Sequence, residues 1–258
     1  MRLTVTFQSS GSESSVKLPL YYNYALQSFI YNHISTHLAD FLHNKGYRYG
    51  GRVFRLFTFS RILGKCRIEK ENEAIVFDSP FKFQISSPLD DLLQEFAETL
   101  ARAPEVSIDK SALVVSSIEV HFSPFTTSSQ VIRMLSPVTV YSTLSTSSGK
   151  KKTYYFSPFE KEFSELIQKN IFKKYVSFYH KKPVSDEFKI SALRVDKRSE
   201  KIIKYTPREG SYTIIKGWMG IYRLEGNPEL IRFSYDAGLG AKNSQGFGMF
   251  EIIDFPER

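Results

Sequence analysis

Five of the 258 residues are histidines, at 33, 37, 43, 121 and 180. Imidazole, with an ordinary pKa of about 6.5, is the side chain best suited to move a proton near neutrality. His43 stands in Phe41-Leu-His-Asn-Lys-Gly46. A helix is expected to end there in a basic, glycine-containing loop, an exposed place from which a ring can reach a ligand. The same position also suits a histidine that only answers the dipole at a helix C-terminus. His33 and His37 have the i, i+4 spacing of a metal pair. No Cys, Asp or Glu pattern completes a zinc site around them, Asp40 alone being weak support, so they read as residues of a helix face. His121 and His180 have no recognisable partners. The acid pairs Asp90-Asp91 and Asp186-Glu187 read as a helix start and a turn, which argues against two-metal hydrolysis. No metal and no cofactor is expected.

A second constellation lies near the end of the chain, in Asp236-Ala-Gly-Leu-Gly-Ala-Lys-Asn-Ser-Gln-Gly-Phe-Gly-Met249. Four of the 14 glycines fall there, at 238, 240, 246 and 248, with Lys242, Asn243 and Ser244 between them. Glycine permits positive φ and lets a ligand approach the main chain closely. Several successive N–H groups aimed at one point make an anion-binding concavity. No Gly-Lys-[Ser/Thr] follows at P-loop spacing, and a helix comes before the stretch rather than after it, so neither nucleotide fingerprint applies. Two readings stay open: a phosphate-contacting loop, or a tight helix-to-strand connection with Gly238 just past the helix end.

The elements that must position these residues occur twice in one order. Residues 2–8 alternate like a strand, and a helix follows from Tyr21 to about Ser35 with Leu26, Ile30 and Ile34 at helical spacing. Ser35 or Thr36 can then cap a second short helix through about His43. Strands are expected at 53–59, 73–77 and 81–85, a helix at 91–103, and strands near 105–109 and 112–121. After a Ser/Thr-rich turn the order recurs: a proline-interrupted strand at 131–141, a helix at 158–176, strands at 188–195 and 212–224, a short helix at 228–235 and a last strand at 249–253. The fold class is therefore α+β, two tandem ferredoxin-like (RRM-like) domains with antiparallel sheets, at 1–122 and 123–258.

Composition bounds the function. Hydrophobic residues at 41% and charged residues at 24% describe an ordinary globular chain, and no apolar run approaches the roughly 20 residues that span a bilayer. The single cysteine, Cys66, cannot form an intramolecular disulfide, and the N-terminus lacks a secretory segment, so a cytoplasmic location without membrane contact is expected. The net charge of +8 lies wholly in the second half, where 22 Lys and Arg face 14 Asp and Glu. Lys150, Lys151 and Lys152 beside Tyr154 and Tyr155, Lys173-Lys174, Lys181-Lys182 and residues 194–204 concentrate it. Such asymmetry points to a polyanion, with rings available to stack on bases.

Gly-Leu-Gly, five residues, then Gly-Phe-Gly near the C-terminus resembles the glycine-rich signature of the RAMP superfamily. "RLTVTFQ", "LPLYYNYALQSFIYNHI", "FLHNKG", "RLFTFSRI", "LSPVTVYS" and "SPFEKEFSELIQKNIFKKY" are similar to the CRISPR-associated repeat-RNA endoribonucleases, the Cas six family. The resemblance covers nearly the whole chain. It implies binding of CRISPR repeat RNA, one cut per repeat by attack of a 2′-hydroxyl on the adjacent phosphate, and 2′,3′-cyclic phosphate and 5′-hydroxyl ends. It places the catalytic histidine at His43 and the catalytic tyrosine at Tyr31. Where the family has a lysine before the "LFT" strand this chain has Arg55, with Lys45, Arg48 and Arg52 nearby as alternatives. An arginine can balance charge on a phosphorane but cannot donate a proton at ordinary pH. Gly238, Gly240, Lys242, Asn243, Ser244, Gly246, Gly248 and the lysines at 150–152 are the expected RNA contacts. The alternative is a non-cleaving RAMP subunit that holds guide or repeat RNA in an effector complex. Effector subunits and a second copy of the chain are partners the sequence leaves open.

Overall fold

The computed structural model describes residues 1–11, 14–145, 151–208 and 210–254. In the first half, strands β1 (Arg2–Ser9) and β2 (Ser15–Pro19) precede helices α1 (Asn23–Asn32) and α2 (Thr36–Asp40) and a π-turn, Phe41–Lys45. Then come β3 (Tyr47–Tyr49), β4 (Arg52–Phe54), β5 (Thr58–Phe59), β6 (Cys66–Glu69), β7 (Ala74–Asp78), β8 (Phe81–Ser86), helix α3 (Asp90–Arg102), β9 (Val106–Ile108) and β10 (Ser111–His121). The second half holds β11 (Ser129–Met134), β12 (Tyr141–Ser145), β13 (Lys151–Tyr155), α4 (Lys161–Tyr179), β14 (Phe188–Arg194), β15 (Glu200–Arg208), β16 (Ser211–Trp218), β17 (Ile221–Gly226), α5 (Pro228–Ala237) and β18 (Phe250–Ile252). Among the described residues no helix is long and apolar enough to cross a membrane.

Each half builds one antiparallel sheet of the same topology. The first runs β5-β8-β1-β10, extended by β9, and the second β14-β17-β11-β18. In both, the first and third strands are central and the second and fourth flank them, which is the ferredoxin-like arrangement. The expected fold class is therefore the observed one.

Alternation and helical period explain the packing. Leu3, Val5 and Phe7 of β1 meet Leu26, Phe29 and Ile30 of α1 and Leu92, Leu93, Phe96 and Leu100 of α3 in one core. Asp90 and Asp91 open α3, where negative charge suits the helix dipole. The second core joins Phe163, Ile167 and Ile171 of α4 to Tyr222, Leu224, Leu230 and Ile231.

Three expected strands are each divided. Residues 53–59 break at Leu56, which adopts a left-handed φ of 54° and sends its buried side chain into the second core. The stretch 131–141 ends its sheet pairing at Met134 and resumes at Tyr141 in the separate β12–β13 hairpin. Residues 212–224 turn at Gly220, with φ of 132°, so the β15–β16 ribbon stands apart from the sheet.

Polar ties lock the two sheets together around the glycine stretch. The Arg2 guanidinium donates to the carbonyls of Phe250 (2.8 Å) and Tyr235 (3.3 Å) and lies over the Tyr235 ring. Thr58 donates to Phe247 O at 2.9 Å and Ser86 to Asp236 O at 3.1 Å. Asn23, at the start of α1, donates to Gln245 O at 2.8 Å. α1 and the glycine stretch are thus one construction.

Candidate active site

Tyr31 sits on the last turn of α1 and His43 in the π-turn after α2. The bend between them falls where Ser35 caps α2, its hydroxyl accepting from the Leu38 N–H at 3.3 Å. The chain folds back on itself there, and the Tyr31 and His43 ring centroids lie 6.4 Å apart, edge to face at 79°. A π-turn rotates side chains away from an α-helical path, and this one closes through Gly46 N–H to Phe41 O at 2.7 Å. Gly46 has φ of 54°, and a Cβ on it would stand 2.7 Å from Val53 Cγ1 and 2.8 Å from Phe54 O. The loop carrying His43 therefore needs glycine where β4 presses against it.

The His43 ring is exposed, and its Nδ1 faces Asn44 Oδ1 at 2.9 Å. An amide oxygen only accepts, so Nδ1 is the ring nitrogen that donates in this contact. Arg55 Nη2 donates to the His43 carbonyl at 3.1 Å, and its positive charge lies close enough to the Tyr31 hydroxyl to oppose the effect of burial on that phenol. Tyr31 is half-buried, edge-on to Phe57 as well. Burial raises its pKa above the ordinary phenol value, against the opposing influence of Arg55. The phenol is therefore protonated in neutral solution, a hydrogen-bond donor and a poor base. Lys45, Arg48 and Arg52 are exposed, and among the described residues none of them hydrogen-bonds Tyr31 or His43. Of the candidates for the third place, Arg55 is the one tied to the His43 backbone and close in charge to the Tyr31 hydroxyl.

The four glycines at 238, 240, 246 and 248 all have positive φ, between 65° and 83°. A Cβ would fall 2.4 Å from Thr139 O at Gly240, 2.4 Å from the Phe59 ring at Gly246 and 2.0 Å from Leu239 O at Gly248. Protein atoms fill the space that side chains would take, so tight packing is what demands these glycines. Gly238, Gly246 and Gly248 are buried. Asn243 is buried too, its amide donating to Leu239 O and Phe247 O, both at 2.9 Å, to brace the loop from inside.

Gly240 is buried as well, and Ala241, Lys242, Ser244 and Gln245 are the partly exposed residues of the loop. The run from Gly240 to Gln245 forms one wall of a cleft of about 480 Å³ whose other walls are the connection Arg52–Leu56, the α4 residues Asn170 and Lys174, and Tyr141 with Thr143 of β12. Arg52, Arg55, Lys174 and Lys242 bring four basic side chains to this cleft, and among the described residues no carboxylate lines it. Lys242, in left-handed conformation, lies with its ammonium 5.3 Å from the Tyr141 ring centroid.

Lys151 and Lys152 are exposed on β13, outside the lining of the cleft, and Lys150 lies outside the described residues. His33 donates from Nδ1 to Phe29 O at 2.7 Å and packs on Phe29 and Phe96, a helix-face role as expected.

Lys174 was hidden in the sequence within a Lys-Lys pair that reads as a solvated cluster. Its true signal is the period: positions 167, 171 and 174 fall on one face of α4. The side chain is 2% exposed, and Nζ donates to Gly238 O at 2.8 Å and Gly240 O at 2.9 Å. Tyr205 of β15, also buried, donates to Gln27 of α1 behind Tyr31, a tie between the halves that no local pattern announces.

The family profile described as CRISPR-associated protein Cas6, N-terminal, matches residues 17–119, and the profile described as CRISPR associated protein Cas6, C-terminal, matches residues 119–252. The CRISPR-associated endoribonuclease Cas6 of Pyrococcus furiosus is 29% identical over 98% of this chain and 90% of its own length. The CRISPR-associated endoribonuclease Cas6 1 of Methanocaldococcus jannaschii is 27% identical over 98% and 93%. A solved structure described as a RAMP protein binding different RNA substrates superposes with a TM-score of 0.80 at 24% identity, covering 98% of this chain and 100% of that one.

Proposed function

Because the chain belongs to the Cas6 family of CRISPR-associated proteins, we propose that it binds the repeat of a CRISPR precursor transcript and cuts it, without a metal ion, to release guide RNAs. The observation that carries this reading is the meeting of Tyr31, His43 and Arg55, from three separate segments, at one partly exposed place. We take the two units to divide at 122/123. Relatives named as endoribonucleases across nearly the whole chain support the reading.

The reaction is internal phosphoryl transfer. The 2′ oxygen bonds to phosphorus as the bond from phosphorus to the 5′ oxygen breaks, leaving a 2′,3′-cyclic phosphate and a 5′-hydroxyl. His43, through Nε2, takes the 2′ proton. The protonated Tyr31 hydroxyl donates to the departing 5′ oxygen. Arg55, permanently cationic, balances the charge that grows on the phosphorane. The cationic cleft beside these groups and the glycine stretch hold the RNA backbone, and base contacts set sequence choice.

Incubation of the purified protein with its repeat RNA in EDTA tests the assignment. A single cut with those ends, abolished by His43→Ala, is expected. Tight binding without a cut would instead make the protein a guide-holding subunit, and equal affinity for unrelated RNAs would make it a general RNA-binding module.

A further inference from the structure

Lys174 is a buried lysine with no carboxylate partner among the described residues. Its two hydrogen-bond partners are main-chain carbonyls of the glycine stretch, which leaves the third N–H of a protonated ammonium without a protein acceptor. Among the described residues that line the cleft with it, Lys242 stands on the glycine stretch, Arg52 and Arg55 on the connection and Tyr141 on β12, and none is an acid. Glu229 of α5 is occupied by the Tyr175 hydroxyl. One turn earlier on α4, Asn170 is 6% exposed and its Oδ1 has no hydrogen-bond partner, though the residue lines the same cleft. Two polar groups on one buried wall thus lack a complement, one a negative charge and one a donor. A ribonucleotide backbone carries both, as a phosphate and a 2′-hydroxyl.

We propose that RNA binding in this cleft is coupled to protonation of Lys174: a phosphodiester seated against residues 240–245 supplies the missing negative charge, and the ammonium beneath it fixes the loop by the carbonyls of Gly238 and Gly240. This rests on the reading of the chain as an RNA-binding nuclease and adds a positioning residue to it. Burial alone lowers the Lys174 pKa to about 7, so the free protein holds this side chain only partly protonated in neutral solution. Burial lowers Lys242 as well. An adjacent anion favours the charged form, so binding takes up a proton in the window above pH 7 and affinity falls there as pH rises.

The test is repeat-RNA binding to the His43→Ala protein at constant ionic strength from pH 6 to 9, followed by fluorescence anisotropy with and without the further change Lys174→Met. Above pH 7 the protein that keeps Lys174 is expected to lose up to about tenfold in affinity per pH unit, the limit for one proton. Lys174→Met is expected to lose that part of the slope, and Lys242→Met is expected to keep it. Equal slopes with and without Lys174→Met overturn the coupling. Should Lys174→Met not fold, calorimetry at pH 8 on the protein that keeps Lys174, in buffers of different ionisation enthalpy, reads the proton directly, and zero uptake overturns the proposal. Failure to bind or cut repeat RNA at any pH would remove the nuclease reading along with it. Cutting with coincident slopes would remove the coupling alone.

Discussion

Arg55 is the cation that meets the His43 carbonyl and the neighbourhood of the Tyr31 hydroxyl, and its replacement separates charge from geometry. In Arg55→Gln the side chain keeps a hydrogen-bonding amide but loses its positive charge beside Tyr31 and His43. The charge that develops on a phosphorane within ~4 Å of a guanidinium is worth about 4 kcal/mol at an effective dielectric of 20, and about 1 kcal/mol in bulk water. Arg55 is half-buried, so the loss should fall between these limits, on the order of 10- to 1000-fold in rate. The assay is single-turnover cleavage of repeat RNA in EDTA at saturating protein, which reads the chemical step apart from binding. Arg55→Lys should recover most of the rate, since charge rather than a forked geometry is what the step needs. Added guanidinium should partly rescue Arg55→Ala, which a merely structural tie to the His43 carbonyl would not allow. A rate for Arg55→Gln within threefold of the parent would refute the reasoning, as would an Arg55→Lys protein as slow as Arg55→Gln. In either case Arg52 becomes the charge to test.

Tyr31→Phe should slow cleavage by roughly 100-fold or more, and an RNA with sulfur at the scissile 5′ position, whose thiolate leaves without a proton, should restore most of that loss while leaving His43→Ala inactive; no rescue would move Tyr31 to a positioning role. Gly248→Ala should lower the thermal midpoint by several degrees, because a Cβ there stands 2.0 Å from Leu239 O at a φ of 83°, and an unchanged midpoint would show that the stretch can rearrange. Lys174 has its folded pKa lowered from 10.5 to about 7, so between these values the unfolded chain binds the extra proton and stability rises with pH. Denaturant titrations at pH 7 and 9 should accordingly show the parent gaining up to about 1.4 kcal/mol per pH unit relative to Lys174→Met, and parallel pH dependences would contradict the lowered pKa of Lys174.

Local signals were enough to anticipate the approach of Tyr31 to His43. The Ser35 cap is a one-residue preference, and the family resemblance, by pairing Tyr31 with His43, implied a bend between them. The topology followed in the same way, since alternation and helical period recur in one order on both sides of residue 122. What local pattern could not supply was anything depending on a partner distant in sequence. Leu56 looks like mid-strand apolar sequence until the second core draws its side chain away and turns the backbone left-handed. Lys174 looks like half of a surface Lys-Lys pair until the glycine carbonyls, more than sixty residues later, capture its ammonium.

The glycine stretch joins these two kinds of information. Crowded glycines with lysine and serine between them read equally as a ligand loop or a tight turn, and the structure shows the tight turn. Positive φ at 238, 240, 246 and 248 lets the backbone fold against Thr139, Phe59 and Leu239 so closely that no side chain fits. That packing buries Leu239, Asn243 and Phe247 and leaves Lys242, in left-handed conformation, at the lip of the cleft. It also turns two carbonyls inward, onto a lysine. A loop shaped only to connect α5 to β18 would keep that lysine neutral, since an uncompensated buried charge costs several kcal/mol and burial already lowers its pKa to about 7. A loop that seats a phosphodiester would instead draw a proton onto it, so the protonation of Lys174, more than the glycines themselves, is where the function of the stretch can be measured.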